Sequence, residues 1–580
     1  MPSSSARSAS ASSAPATKGL IPSVCGKFST PVPIFWKQFE SEIKEAAVKD
    51  LTRFPEEQNN NTQFTEWIDE LFQDHYQSYQ VQRSAIHPPG LEVMMKILEI
   101  ISKRINYLRH NISVSVLAAA PPLHILVMGG SLPAGTSCGV NHIGLKKLKW
   151  SHGYVECAWP ARLQHLFNRV LFNEEEVVKV SNLALGGSNS EVGKVLLEYQ
   201  LFPDSFQPPD IVIWSHAAND SKEKDTERVF FESIPGFVNA AHNLRLCDDH
   251  LPLVVMNEEF FVFDQSIDMS GALYKASIWF GLMGISQRNI ISHKIFANFD
   301  NDDYVNRIIG QKGIHPGMGG HIGASWTIFY NFISAFTDAC DYARISSSQT
   351  PIKSNDVKAK HIGPAYKEND YGEISSEWKI HQDKIHEMCL SEEALQASSS
   401  INSTTATISS NQQKQLSPCT YAFMANRMTS ENTAAAVGKK LNEVLTSNTG
   451  WNAEGFPIKQ PRMGFYAKET NAHFSLKIDV LMETKYMTIM SMKSYGDNFK
   501  ETNLEVDVTI QRKGASTSAD AMKSSKYEVT GYHETKTSIH VPHKFALPDG
   551  GAKKGDIIVV NFRLVSGSYF KIAGLAFCRH

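Results

Sequence analysis

The stretch Leu123–Ser131, LHILVMGGS, decides the fold. An apolar run with only one polar residue leads straight into two glycines and a serine, which reads as a strand buried on both faces and closed by a tight turn. The same pattern recurs downstream in VVKVSNLAL (177–185), PDIVIWSHAAND (209–220) and LPLVVMNEEFF (251–261). Between these runs, PARLQHLFNRVLF (160–172) and SEVGKVLLEYQLF (190–202) space their apolar residues as helices do. Apolar strands alternating with helices predict a parallel sheet covered on both faces, with ligands gathering at the carboxyl ends of the strands.

On the N-terminal side, WKQFESEIKEAAVKDLTRF (36–54), TEWIDELFQDHYQSY (65–79) and LEVMMKILEIISKRINYL (91–108) predict a helical region over residues 34–118, ahead of an α/β domain at 119–344. Residues 1–39 contain no Asp or Glu, and the Ser/Ala-rich opening reads as a disordered tail over 1–33, with an organelle transit peptide as the alternative. On the C-terminal side, residues 345–419 read as a linker. Its tract ASSSINSTTATISSNQQKQ (397–415) is too polar to fold alone, and short helices are expected around 377–397. After a helical stretch at 431–446, strict alternation follows in HFSLKIDV (473–480), NLEVDVTIQ (503–511) and DIIVVNFRLV (556–565). It predicts a separate antiparallel β-sandwich over 420–580, each sheet with one wet face and foldable without the rest of the chain.

Composition excludes several classes. The 580 residues carry a net charge of −3 and 42% hydrophobic residues, which argues against a general binder of nucleic acid or anionic membrane. No apolar run approaches the length of a membrane span, and no secretory signal is visible in the chain. None of the eight cysteines forms a CxxC pair, so the common zinc and thioredoxin patterns are absent. Cys138 with Cys157, and Cys419 with Cys578, would make sensible disulfides in an oxidising compartment, and sequons at Asn60, Asn111 and Asn402 fit that compartment. The compartment itself (secretory, organellar or cytoplasmic) stays open. His381, His386 and Cys389 lie close together on the linker, but no metal and no cofactor is expected.

Four segments carry chemistry. Gly129-Gly130-Ser131 lifts a hydroxyl out of the sheet end, although Gly129-x-Ser131-x-Pro133 is not the GxSxG elbow. Gly186-Gly187-Ser188 follows the second strand and can offer a backbone N–H to an oxyanion. Asn219, in His216-Ala-Ala-Asn219-Asp220, can donate its amide to developing charge, or cap the turn with Asp220. His315, in Lys312-Gly-Ile-His315-Pro316, sits on a constrained loop before a helix. The glycines at 317, 319, 320 and 323 lack the strand and spacing of a dinucleotide site.

Taken in order, these segments resemble the SGNH (GDSL-like) hydrolase superfamily over about residues 120–340, and the layout as a whole resembles multi-domain members from algae and related protists. The resemblance implies a flavodoxin-like three-layer fold. It implies Ser131 as nucleophile, His315 as base, and Gly187, Asn219 and the Ser131 N–H as the oxyanion hole. Three positions depart from the family pattern: Gly130 replaces its Asp, Ala217 a Gly, and Lys312 the Asp three residues before the His. An ammonium cannot accept the histidine N–H, so the base would need another partner, with Glu259, Asp302, Asp303 or a backbone carbonyl as candidates. The implied activity is a serine esterase acting on an ester substrate, with an O-acetylated polysaccharide first and the sandwich as its carbohydrate-binding part. Three alternatives stand beside it: an O-acyltransferase on a glycan, a catalytically silent binding protein of the same fold, and unrelated chemistry on a flavodoxin-like sheet.

Overall fold

The computed structural model describes residues 22–29, 41, 61–110, 120–138, 157–173, 176–202, 206–220, 232–245, 251–259, 269–290, 301, 305, 315–347, 419–424, 433–454, 464–514, 522–534 and 538–579. Outside these lie the helix expected at 36–54 except residue 41, the rest of the N-terminal tail, most of the 345–419 linker and the three sequons. Lys312, Asp302, Asp303, His381, His386, Cys389 and Cys247 lie outside them as well.

The first sheet contains β1 (Ala85–His87), β2 (Leu123–Gly129), β3 (Val178–Asn182), β4 (Ile211–Ser215), β5 (Leu253–Glu258) and β6 (Met283–Ser286), in the order β1-β6-β5-β4-β2-β3. β2 to β6 are parallel. Counted among themselves they run 2-1-3-4-5, the flavodoxin-like doubly wound order, whose switch point lies between β2 and β4. Side-chain alternation splits each strand between two cores. Leu123, Ile125, Val127, Ile211 and Ile213 face one, and Leu126, Met128, Val212 and Trp214 the other. Both sets being apolar is why these strands read as unbroken runs.

The first core is closed by α1 (Asn61–His75), α2 (Leu91–His110), α3 (Trp159–His165) and the long α7 (Met318–Ser347), the second by α4 (Ser190–Glu198), α5 (Ile234–His242) and α6 (Ser270–Phe280). Gly323 of α7 lies directly under the Tyr76 ring, where any Cβ would collide with it, so this glycine serves close packing. Two expectations change in the N-terminal region. Residues 85–87, read as part of a helical region, add an antiparallel edge strand beside β6. Residues 23–28, read as tail, form a 3₁₀ helix that buries Val24, Cys25 and Phe28 and joins α7 through the Cys25–Cys340 disulfide. Cys138–Cys157 and Cys419–Cys578 are also bonded, as their spacing suggested.

The C-terminal region begins with β7 (Cys419–Met424), α8 (Thr433–Asn442), β8 (Leu445–Thr449), β9 (Trp451–Glu454), β10 (Gly464–Ala467), β11 (His473–Asp479), β12 (Tyr486–Lys493) and β13 (Asn503–Gln511). β14 (Met522–Thr530), β15 (Ile539–Ala546), β16 (Ile557–Ser566) and β17 (Phe570–Cys578) complete it. The helix expected at 431–446 thus gives way to strand at Leu445. One antiparallel sheet has the order β14-β13-β16-β11-β8; the other has β15-β12-β17-β10-β9, with β7 also on β17. Between them, Phe474, Leu476, Val506, Val508, Val560 and Phe562 meet Met487, Ile489 and Ile572 in one core. The outer face of the second sheet is not wet as expected. Its Met490, Ala573 and Ala576 join the α/β core formed with α4 and α5, and Thr488 Oγ1 donates to the Tyr199 hydroxyl at 3.3 Å. Water is excluded there because the α/β layer covers it.

Candidate active site

Ser131 and Asn219 follow β2 and β4, the two strands that flank the switch point. Ser131 opens a short helical turn, with Ala134 N–H donating to the Gly130 carbonyl at 3.3 Å and Thr136 N–H to that of Ser131 at 3.0 Å. His315 Nε2 lies 2.7 Å from Ser131 Oγ, across 184 residues of sequence. In that geometry the imidazole can take the hydroxyl proton.

The turn after β3 is built to lie beside the serine. Asn182 Nδ2 donates to the Pro133 carbonyl at 2.6 Å, while its Oδ1 accepts from Ala184 N–H at 3.0 Å. Leu185 N–H donates to the Gly129 carbonyl at 2.9 Å, and the Ser188 hydroxyl reaches the same carbonyl at 2.8 Å. Ser188 N–H closes a β-turn onto the Leu185 carbonyl at 3.0 Å, with Gly187 at φ 78°, a left-handed conformation that favours glycine. A Cβ on Gly186 would sit 3.8 Å from Ser131 Cβ, so the peptide joining the two glycines borders Ser131.

Asn219 lies in one helical turn, Ala217–Asp220, and its Nδ2 donates to the Ser188 carbonyl at 2.8 Å, leaving its second N–H. A Cβ on Gly130 would strike that amide, so glycine at this position lets Asn219 approach the turn. His216 Nδ1 reaches the same Ser188 carbonyl at 3.1 Å, and burial holds its ring neutral by lowering the pKa to about 4. Asn189 caps α4 by accepting from Val192 N–H at 3.1 Å, and Asp220 accepts from Ser190 N–H at 2.8 Å and from its hydroxyl at 2.5 Å. The turn that Asn219 and Asp220 would cap in the alternative reading falls on residues 221–231, outside those described, while Asn219 lies against the serine turn. Among the described residues, the N–H groups of Ser131 and Gly187 donate no hydrogen bond.

Behind the Ser–His pair, Leu132 and Pro316 wall a cavity of about 20 Å³, room for one water, that also meets Trp159, Glu259 and His321. Glu259 is fully buried and neither carboxyl oxygen is hydrogen-bonded, although Ser215 and Trp159 lie near it. Burial pushes this carboxyl up to about 8. Glu259 therefore does not accept from His315; of the other acids considered for that role, Asp302 and Asp303 lie outside the described residues. Desolvation, helped by Arg162, lowers His321 to about 3. Among the described residues, no group of three or more His, Cys, Asp or Glu is placed to hold a metal, and no helix is long and apolar enough to cross a membrane.

Sequence reasoning missed Asn182, Ser188 and His540. The first two are ordinary turn residues whose partners lie in other loops. His540 belongs to β15, and its ring reaches the Gly186 carbonyl from the other domain. No pattern in the sequence signals that contact.

No family model and no curated protein matches the chain. Among solved structures, it is similar to a two-domain esterase (CEX) active on acetylated mannans, with 13% identity, 86% of this chain and 99% of that chain covered, and a TM-score of 0.40. A carbohydrate-binding module (CBM6cm-2) from a Cellvibrio mixtus lichenase matches with 10% identity over 28% of this chain and 98% of that chain, TM-score 0.16. The lipase Lip_vut3 from a goat rumen metagenome matches with 17% identity over 36% of this chain and 95% of that chain, TM-score 0.23.

Proposed function

We propose that the protein is an SGNH-type serine esterase that hydrolyses acyl esters, with Ser131 as nucleophile and His315 as general base. The observation that carries this reading is the 2.7 Å contact between Ser131 Oγ and His315 Nε2 at the switch point of a doubly wound sheet. His315 takes the hydroxyl proton as Ser131 Oγ bonds to the acyl carbon. The oxyanion meets the N–H groups of Ser131 and Gly187 and the free amide N–H of Asn219. The ester C–O bond then breaks, and the leaving alcohol takes the proton from His315. Water adds to the acyl-serine by the same route, giving its proton to His315, which returns it to Ser131 Oγ as the acid leaves. An O-acetylated polysaccharide is the proposed substrate, because the sandwich flanks the oxyanion turn and widens the surface on which a polymer would lie.

A fluorophosphonate probe tests this directly. Wild-type protein should be labelled at Ser131 and release nitrophenol from nitrophenyl acetate. Ser131→Ala should lose label and nearly all turnover while keeping its melting temperature within a few degrees, since one half-buried hydroxyl packs little. Full turnover in that variant ends the assignment, and unacetylated glycans added as acceptors beside nitrophenyl acetate separate transfer from hydrolysis.

A further inference from the structure

We propose that His540, carried by the β-sandwich, is a positioning residue for the oxyanion hole, holding the Gly186–Gly187 peptide so that its N–H faces Ser131. The inference rests on the reading of Ser131 as nucleophile. His540 Nδ1 lies 3.0 Å from the Gly186 carbonyl, and His540 N–H donates to the Gly187 carbonyl at 3.0 Å. One residue of the second domain thus grips two successive carbonyls of the turn. A trans peptide is planar, with its C=O and the following N–H on opposite edges. Anchoring the Gly186 oxygen therefore fixes the direction of the Gly187 N–H.

The turn needs such an anchor. Turns of types I and II differ by a flip of their central peptide, and glycine at both central positions leaves the chain little preference of its own. Gly187 stands at φ 78°, the type II arrangement, and a Cβ there would collide with the Ser538 carbonyl. A flip would break the His540 bond and turn the N–H away from the serine. A carbonyl only accepts, so the ring must carry its proton on Nδ1. Burial, reinforced by Lys571, keeps it otherwise unprotonated by lowering its pKa to about 4. A hydrogen bond to a carbonyl also polarises that peptide and strengthens its N–H as a donor.

The test uses the full chain with nitrophenyl acetate and with phenylboronic acid, which binds the serine as a tetrahedral adduct. His540→Phe keeps a ring but no donor. It should lower kcat on the order of 10–100-fold, raise the boronate inhibition constant by a similar factor, and leave KM within about twofold. His540→Asn, whose amide can stand where the Nδ1–H was, should restore most of the loss, and His540→Gln, with its donor one bond further out, should not. If the Phe variant does not fold, the Asn-against-Gln contrast decides. A folded Phe variant with wild-type kcat, unchanged boronate affinity beside a reduced kcat, or equal Asn and Gln variants would overturn the proposal. Those results would leave the esterase reading intact, whereas full turnover by Ser131→Ala would remove both.

Discussion

The two sheets of the C-terminal sandwich share one core but have opposite outer faces. In β13, Leu504, Val506, Val508 and Ile510 are buried and the residues between them are partly open, so water lies against that side. In β17 every residue is buried, because Phe570, Ile572 and Phe577 fill the sandwich while Ala573 and Ala576 lie against the α/β domain. A sheet with one wet face belongs to a module that could be tethered anywhere. A sheet covered on both faces makes the second domain part of the first. The small residues at 573 and 576 are what let the two layers approach.

That contrast can be broken by substitution. Leu476→Ala, in the core between the sheets, should cost about 2–5 kcal/mol and leave the proposed nitrophenyl ester turnover near wild type. Met490→Ala, on the shared layer, should cost less, about 2 kcal/mol, yet lower turnover more. Met490 pairs with Pro542 of β15, the strand that carries His540 to the Gly186 turn. Urea unfolding and nitrophenyl ester kinetics on both variants check this; equal turnover in the two would mean that the domains are coupled in packing alone.

Acid should act next. His124, His216, His540 and His543 are held to about 4, and His321 to about 3, by burial first in every case. Their folded pKa values lie below the unfolded value of about 6.5. Each therefore contributes stability that is complete above pH 6.5 and is lost as pH falls toward 4. Glu259 runs the other way. Its folded value of about 8 exceeds the unfolded one, so its contribution is complete below about pH 4.5 and is lost as pH rises through 8. Five groups against one predict a melting temperature that drops between pH 6.5 and 5, and calorimetry showing a flat profile there would contradict the burial of these rings.

The smallest effect belongs to the wet face. Arg563 and Glu505 pair at 2.9 Å, with side chains 52% and 26% exposed. Glu505→Gln should change stability by less than about 1 kcal/mol and turnover not at all, measured by the same unfolding and kinetic assays. A larger cost would mean that this face is less open than its alternation implies.

The alternation of β11, β13 and β16, the continuous runs of β2, β4 and β5, and the order of Ser131, Gly187, Asn219 and His315 were all legible in the sequence. Each is written in local spacing, and burial on one face or two leaves a period that needs no knowledge of distant partners. The edge strand Ala85–His87 was not legible, because three residues are too few to show a period and β6 alone makes them a strand. Nor could the sequence show that Asn182, Ser188 and Asn219 stitch three loops together, or that His540 reaches Gly186 across 354 residues. The sequence by itself determined which residues could form strands and which four stood as candidates for chemistry. The tertiary structure alone decided which carbonyl each donor meets, because hydrogen bonds between loops depend on distances set by packing layers, and no local pattern encodes them.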